Sequence, residues 1–432
     1  MAIKTKRTQN NKFEWGPVSK VQYSNGLVHV HQKTRGLRGA FASLYVLVGS
    51  RDENQQNQGI CHLLEHMVYR GGGGFGSNEI LTRVEELGGD MNAYTSKEYT
   101  CFEVSCLSRK LKDVFPFLVE LVLSPDFPES ELKKEKKIVA QEVREDNQDH
   151  ELMAEEALFE KCFDFGLGHS IGGKTSTIKN ITTQELRRFY RKYFVPQRMV
   201  VVTTSGHDIK EFTPTIKELF ERYRLVKNAA PLRRKLRKFP KELKTNKTRF
   251  LRDTEVASLI IGTAGATLDS PYRAELSVLN YYLTEGMSSR LYKVLREEEP
   301  LIYGLGTSVN CFTDNGNMVF TFSCTHANVD KIKKKFMDVF KDVAENGITD
   351  AELQKCKRQI LDTFEMALDD LGERNCHLGR GELFRSSVVT FENVKKYLNK
   401  VAVEGIQDLA RLIYETGIST VEVRARREIN AS

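Results

Sequence analysis

A chain of 432 residues is too long for one compact core and predicts two domains of roughly 200 residues each. Its 40% hydrophobic and 28% charged residues are the balance of a globular protein, and no apolar run approaches the roughly 20 residues that a membrane helix needs, which excludes the helical membrane class. A net charge of +7 is too mild at this size to imply nucleic acid as a partner.

The opening MAIKTKRTQNNKFEW is basic but has no apolar centre, so it is not read as a secretory signal. Strand-like sequence begins by residue 20 and leaves little room for a mitochondrial presequence. Eight Cys without regular spacing, several inside apolar segments, read as reduced thiols of an intracellular compartment. VQYSNGLVHVHQ and GAFASLYVLVGS, between residues 20 and 50, alternate as strands with a turn at Asn25-Gly26.

Residues 59–71, GICHLLEHMVYRG, predict a helix. His62 and His66, one turn apart, leave one face and can hold a metal between them. Glu65 lies on that face too, within reach of a water on the metal, while Ile60, Leu63, Leu64 and Met67 fill the apolar side. The order H-x-x-E-H is the inverzincin pattern of zinc hydrolases. The bland alternative is two surface histidines on an amphipathic helix, and the chemical reading requires a third ligand elsewhere.

GGGGFG (71–76) reads as a loop, because no lysine follows to make it a phosphate cradle. NEILTRVEELGG is a helix capped at Gly88-Gly89, and residues 91–107 alternate as a strand pair. LKDVFPFLVELVLSP is a helix closed by Pro125, followed by the charged helix SELKKEKKIVAQEVRED (130–146). Glu135 and Glu142 are two turns apart on it and share a face, so either can turn toward the histidines; alone, both would read as solvated glutamates. Residues 227–249 hold ten Lys or Arg and one Glu, punctuated by Pro231 and Pro240. Without interleaved aromatics this reads as a solvated basic linker rather than a nucleic-acid binder.

Beyond the H-x-x-E-H helix, LGGDMNAYTSKEYT (87–100), the Glu135–Glu142 helix, GHSIGGKTSTIKNIT (168–182), FYRKYFVPQRMVVVTTSG (189–206) and MSSRLYKVLREEEPLIYG (287–304) follow in order. From about residue 20 to its end the chain resembles the M16 peptidases, the group of pitrilysin, insulysin and mitochondrial processing peptidase. The resemblance implies an α+β fold of two homologous domains, each an antiparallel-rich sheet packed with helices, together forming half of a clamshell. The expected boundaries are 1–226 for the metal-binding domain, 227–250 for the linker and 251–432 for a metal-free copy. An internal match supports this: SELKKEKKIVAQEVRE aligns with AELQKCKRQILDTFEM (351–366), where Cys356 stands for Glu135 and Thr363 for Glu142.

The family's spacing selects Glu142 as third zinc ligand and makes Glu135 an additional acid that orients the ligands. Gln141 stands where the family usually has a further acid. The resemblance assigns oxyanion stabilisation to Arg296 and Tyr303, with Glu299-Pro300 replacing the usual Arg-Gly between them. It assigns substrate binding to the strand at Asn92 and Ala93. The implied function is a zinc-dependent endopeptidase of peptides or unfolded polypeptides, with one Zn²⁺ per chain and Glu65 as general base. The alternative is a non-catalytic or partner-dependent M16-like subunit. A homodimer, or a heterodimer with a related M16 chain, is the expected assembly. No nucleic acid or membrane is expected as partner, and the compartment is the bacterial cytoplasm or, alternatively, the mitochondrial matrix.

Overall fold

The structure, a computed structural model, describes residues 16–221, 232–237 and 244–426. The first stretch contains β1 (Val18–Gln22), β2 (Val28–Lys33), β3 (Gly39–Val46), α1 (Ile60–Val68), a small ladder of β4 (Gly71–Gly72) and β5 (Phe75–Gly76), α2 (Ser77–Leu87), β6 (Gly89–Thr95), β7 (Thr100–Leu107), α3 (Leu111–Leu123), α4 (Glu129–Asp146), α5 (His150–Cys162), α6 (Phe165–Gly168), α7 (Thr175–Asn180), α8 (Thr183–Tyr193), β8 (Met199–Ser205) and α9 (Ile209–Glu221). The later stretch contains β9 (Lys247–Arg252), β10 (Ala257–Ala264), α10 (Arg273–Thr284), α11 (Arg290–Tyr292), β11 (Ile302–Cys311), β12 (Gly316–Cys324), α12 (Val329–Asn346), α13 (Asp350–Ala367), α14 (Leu371–Arg385), α15 (Phe391–Asn399), α16 (Val403–Thr416) and β13 (Ser419–Ala425). The glycine run expected as a loop thus forms the β4–β5 ladder.

Two compact units result. The first holds the chain up to Arg144, His169–Arg234 and Met366–Val389; the second holds Glu145–Gly168, Lys235–Glu365 and the chain from Thr390. In the first unit the strand order is β1-β2-β8-β3-β7-β6, antiparallel except for the parallel pair β2–β8. The β1–β2 turn uses Gly26 at φ 88°, the left-handed conformation that Asn-Gly supplies at little cost. Every residue of β8 is buried, as a central strand covered on both faces requires. Leu44, Val46, Phe102 and Val201 meet α1 and α3 in one apolar cluster with Leu63, Met67, Phe115 and Leu118. The opposite face carries α14, whose Asn375 donates to the Val202 carbonyl and whose Gly379 lies on the Tyr45 ring.

The second unit has the order β11-β12-β10-β13-β9, with β13–β9 its one parallel pair. Leu259, Ile261, Phe320 and Phe322 pack with residues of α10, α12 and α16, such as Leu279, Phe336 and Ile406. On the other face Ile260, Val319, Val421 and Val423 cluster with Leu158 and Phe159 of α5. Gly262 admits that helix closely, since a Cβ there would stand 2.8 Å from Leu158.

The units therefore differ from the contiguous halves expected from the chain. Glu129 and Asp350, the first residues of α4 and α13, are 221 positions apart, as are His150 and Leu371, which open α5 and α14. The repeat extends through both helices of each pair, yet α5 covers the second unit's sheet and α14 the first unit's. The corresponding helices are exchanged.

Of the expected linker, residues 227–231 and 238–243 lie outside the described residues. Lys247 to Phe250 belong to β9, an edge strand whose residues alternate between exposed and half-buried. Its charged side chains suit an edge that must not recruit another chain, which hides the strand in a basic run. The described middle is not simply solvated. Arg233 reaches Glu382 of α14 at 2.9 Å, and Arg234 pairs with Asp52, all within the first unit.

Candidate metal centre

The site begins with the way α1 starts. Its first turn carries no capping side chain of its own, because the N-cap is Gly59 at φ 87°. The buried carboxylate of Glu53 takes over, accepting from the Gly59 and Cys61 amides at 2.8 Å each. A carboxylate at a helix N-terminus is favoured by the exposed amides and the helix dipole. His169, from the GHSIGG stretch, bonds the same carboxylate at 2.9 Å and fixes it from the far side. Gly173 lets that loop press on the helix start, since a Cβ there would meet Gly59 N at 2.5 Å.

With Ile60, Cys61, Leu63, Leu64, Met67 and Val68 buried, α1 turns His62, Glu65 and His66 to its other face. His62 Nε2 and His66 Nε2 are 3.2 Å apart. Glu142 Oε2, from α4, lies 3.8 Å from the first and 3.5 Å from the second. Zinc bonds of about 2.0–2.1 Å in tetrahedral geometry place neighbouring ligand atoms roughly 3.4 Å apart. The three atoms thus outline one face of such a tetrahedron, and the donor set fits the metal. Among the described residues this is the one cluster of three His, Cys, Asp or Glu with that convergence.

Glu135 points to the His66 ring rather than to the point where these three atoms converge. Only 1% exposed, it meets His66 Nδ1 at 3.0 Å and receives Arg70 Nε at 2.7 Å. A carboxylate on Nδ1 selects the tautomer that leaves the Nε2 lone pair for a metal. Gln141 turns instead to Arg144, accepting from it at 2.8 Å.

The two imidazoles are electrostatically different. Burial, then the neighbouring His66, lowers the His62 pKa to about 4, so it stays neutral and ready to ligate. Burial also opposes the charged form of His66, but the carboxylates of Glu135, Glu142 and Glu65 outweigh it and raise that ring above its ordinary value. Burial raises Glu65 too, against a hydrogen bond from Thr95 and the proximity of His66. Thr95 Oγ1 donates to Glu65 Oε2 at 2.7 Å.

Thr95 closes β6, the last strand of its sheet, which also holds Asn92 and Ala93. The Tyr69 hydroxyl, just past α1, donates to the Asn92 carbonyl at 3.0 Å and ties the end of the helix to this edge. Asn92 Nδ2 reaches Glu103 on β7 at 3.3 Å.

Arg296 and Tyr303 belong to the second unit. Residues 293–298 form a π-helical turn, a widened geometry that recurs at functional sites. From it Arg296 Nη1 donates to the Ile302 carbonyl at 2.5 Å. The β11–β12 register shifts between Ile302 and Gly304, so Tyr303 stands in a bulge and is 60% exposed. The structure brings these two side chains to one strand end, with the Arg fastened to the backbone beside the Tyr.

Sequence reasoning singled out the three converging residues and Glu65 but missed Thr95, Arg70 and the Glu53–His169 pair. Arg70 had a signal, standing one turn after His66. Thr95 had one as well, being in the strand already marked for substrate.

Comparison with known proteins places this chain in a wider group. Residues 30–174 match the family model described as insulinase (peptidase family M16), and residues 180–360 match that of the peptidase M16 inactive domain. An uncharacterized zinc protease of Bacillus subtilis, YmxG, is 28% identical over 396 residues, covering 90% of this chain and 94% of the relative. An uncharacterized zinc protease of Streptomyces coelicolor is 27% identical over 403 residues, covering 92% and 87%. Among solved structures, a peptidase M16 inactive domain from Pseudomonas fluorescens superimposes with a TM-score of 0.86 at 19% identity, over 95% of this chain and 98% of that one. A protease from Helicobacter pylori gives 0.85 at 19% identity, over 94% and 99%.

Proposed function

The chain belongs to the M16 peptidase family, and from that premise we propose that it is a zinc-dependent endopeptidase acting on peptides or unfolded polypeptides. The observation that carries the reading is the convergence of His62 Nε2, His66 Nε2 and Glu142 Oε2 beside the carboxylate of Glu65. These three residues would hold one zinc ion, which supplies Lewis acidity there, polarising the scissile carbonyl and acidifying a water.

The chain's own residues then have separate tasks. Glu65 takes the proton of the attacking water and returns it to the leaving amine, work worth about 10²–10⁴ in rate for a well-placed base. Glu135 holds His66 in its tautomer, and Glu53 with His169 fixes the start of α1. A substrate strand adds to the outer edge of β6 at Asn92 and Ala93, where backbone pairing favours extended, unfolded chains over particular side chains. Arg296 and Tyr303 bind the substrate carbonyl and the developing oxyanion, with Tyr303 donating its hydroxyl.

Zinc protease relatives support the cofactor, and their bacterial origin supports a bacterial enzyme, for which we take the cytoplasm as compartment. No described helix is long and apolar enough to cross a membrane. The assembly is proposed as a homodimer, or a heterodimer with a related M16 chain. Metal analysis of purified protein, with cleavage of an unstructured peptide before and after chelation, tests the reading. We expect about one zinc per chain and cleavage that stops with chelation and returns with zinc. Metal-free protein that is inert in every condition would favour the alternative, a subunit without activity of its own.

A further inference from the structure

The base and the substrate edge are joined by one side chain. A glutamate's terminal torsion is broad, so a carboxylate without a fixed donor samples many orientations. Glu65 has such a donor in Thr95, whose hydroxyl reaches Oε2 at 2.7 Å, in the short range of charge-assisted hydrogen bonds. The bond occupies one carboxylate oxygen and limits the rotation of the carboxylate.

Thr95 is itself held on both sides. Behind it β6 pairs with β7 from Gly89 to Thr95. Ahead of it the turn closes with Ser96 N donating to Tyr99 O at 2.8 Å. That turn is docked on the segment leading to α1: Ser50 N donates to Ser96 O at 3.2 Å and Arg51 N to Lys97 O at 2.9 Å. Gly49 makes the approach possible, since a Cβ there would lie 2.3 Å from Ser96 O. Arg51 also reaches Glu98 at 2.6 Å, and Thr100 Oγ1 reaches Val48 O at 2.8 Å.

We propose that Thr95 is a positioning residue for the general base, tying the orientation of Glu65 to the strand on which the substrate docks. The proposal rests on the peptidase reading given above. It adds that base and scissile bond are registered against one strand: a peptide paired at Asn92 and Ala93 is placed by the backbone whose next-but-one residue aims the carboxylate. The base is thus oriented before substrate arrives, as a site built on a rigid element requires.

Thr95→Val removes the hydroxyl at nearly constant shape, and Thr95→Ser restores it. In zinc-loaded Thr95→Val we expect kcat to fall about ten- to hundredfold, the value of a hydrogen bond to a charged group, with KM changed less than about twofold. Zinc content and the visible spectrum of the cobalt-substituted protein should match the parent, and Thr95→Ser should recover most of the lost turnover. In metal-free protein, a double-mutant cycle of Thr95→Val with Glu65→Ala should give a coupling of about tenfold in the unfolding constant. Unchanged kcat in Thr95→Val overturns the proposal, as do strict additivity in the cycle or a loss of zinc that Thr95→Ser does not repair. Glu65→Gln separates the two readings. If it stays active, the base assignment fails; if it is inert while Thr95→Val is fully active, only the role of Thr95 falls.

Discussion

Three glutamates face one pair of imidazoles, and distance divides their work. Glu142 approaches both Nε2 atoms, Glu135 reaches only Nδ1 of His66, and Glu65 is held by Thr95. Chelator competition should therefore show Glu142→Gln losing most of its zinc affinity, while Glu135→Gln loses roughly the 10–100-fold typical of a residue behind a ligand. The reverse order would exchange their roles. Glu65→Gln should keep stoichiometric zinc and lose about two to four orders of magnitude in turnover. Of these residues, His62, His66 and Glu65 were legible from spacing alone, because one helix carries them. Glu142 against Glu135 was decided by resemblance, since their shared face fits either. Thr95 was marked only by its strand; its contact with Glu65, like the Glu53–His169 pair, was not legible, because each joins residues that only the fold brings together, 30 and 116 positions apart. A second pair of histidines went unremarked. His29 and His31 on β2 both bond Thr203 at 2.8 Å, and burial pushes both pKa values down, that of His31 to about 4. A folded value below the ordinary 6.5 means that the unfolded chain binds the proton first. The contribution is complete above pH 6.5 and is lost as pH falls from there toward 4, about 3 kcal/mol for His31 at the lower limit. Urea unfolding at pH 7 and pH 5 should show the loss, and His31→Asn should flatten it.

Among the elements, the exchanged helices are the finding that periodicity could not supply. An apolar stripe states that a helix needs a surface, and says nothing about which sheet provides it. The 221-residue repeat was visible because α4 and α13 keep their pattern while the acids are lost. The destinations of α5 and α14 depend on the packing of sheets formed far away in the chain. Gly379 measures how closely α14 is seated, because a Cβ there would stand 2.2 Å from the Tyr45 ring. Helix propensity alone makes Gly→Ala favourable by about 1 kcal/mol. Overpacking against a fully buried tyrosine reverses the sign, and Gly379→Ala should lose about 1–3 kcal/mol in chemical denaturation. A stabilised variant would mean that α14 sits more loosely than the structure has it. The strand β9 was hidden for a different reason, since its edge position permits the charges that made it read as linker.

On the scale of the whole molecule, light scattering should find a dimer at working concentration, and Tyr303→Phe should lower turnover far more than zinc affinity. A fully active monomer would remove the need for a second copy. The fold class and the two-part organisation were legible in composition, motif order and the internal match. The path of the chain was not, for it passes between the units five times. That path bears on how a gene for this protein can be divided. Cutting at the basic segment would leave the amino-terminal piece with a sheet stripped of α14 and the carboxyl-terminal piece with a sheet stripped of α5. Produced alone, residues 1–226 and 227–432 should each be aggregation-prone; produced together, they should find one another and rebuild the fold, as two halves of a split reporter do.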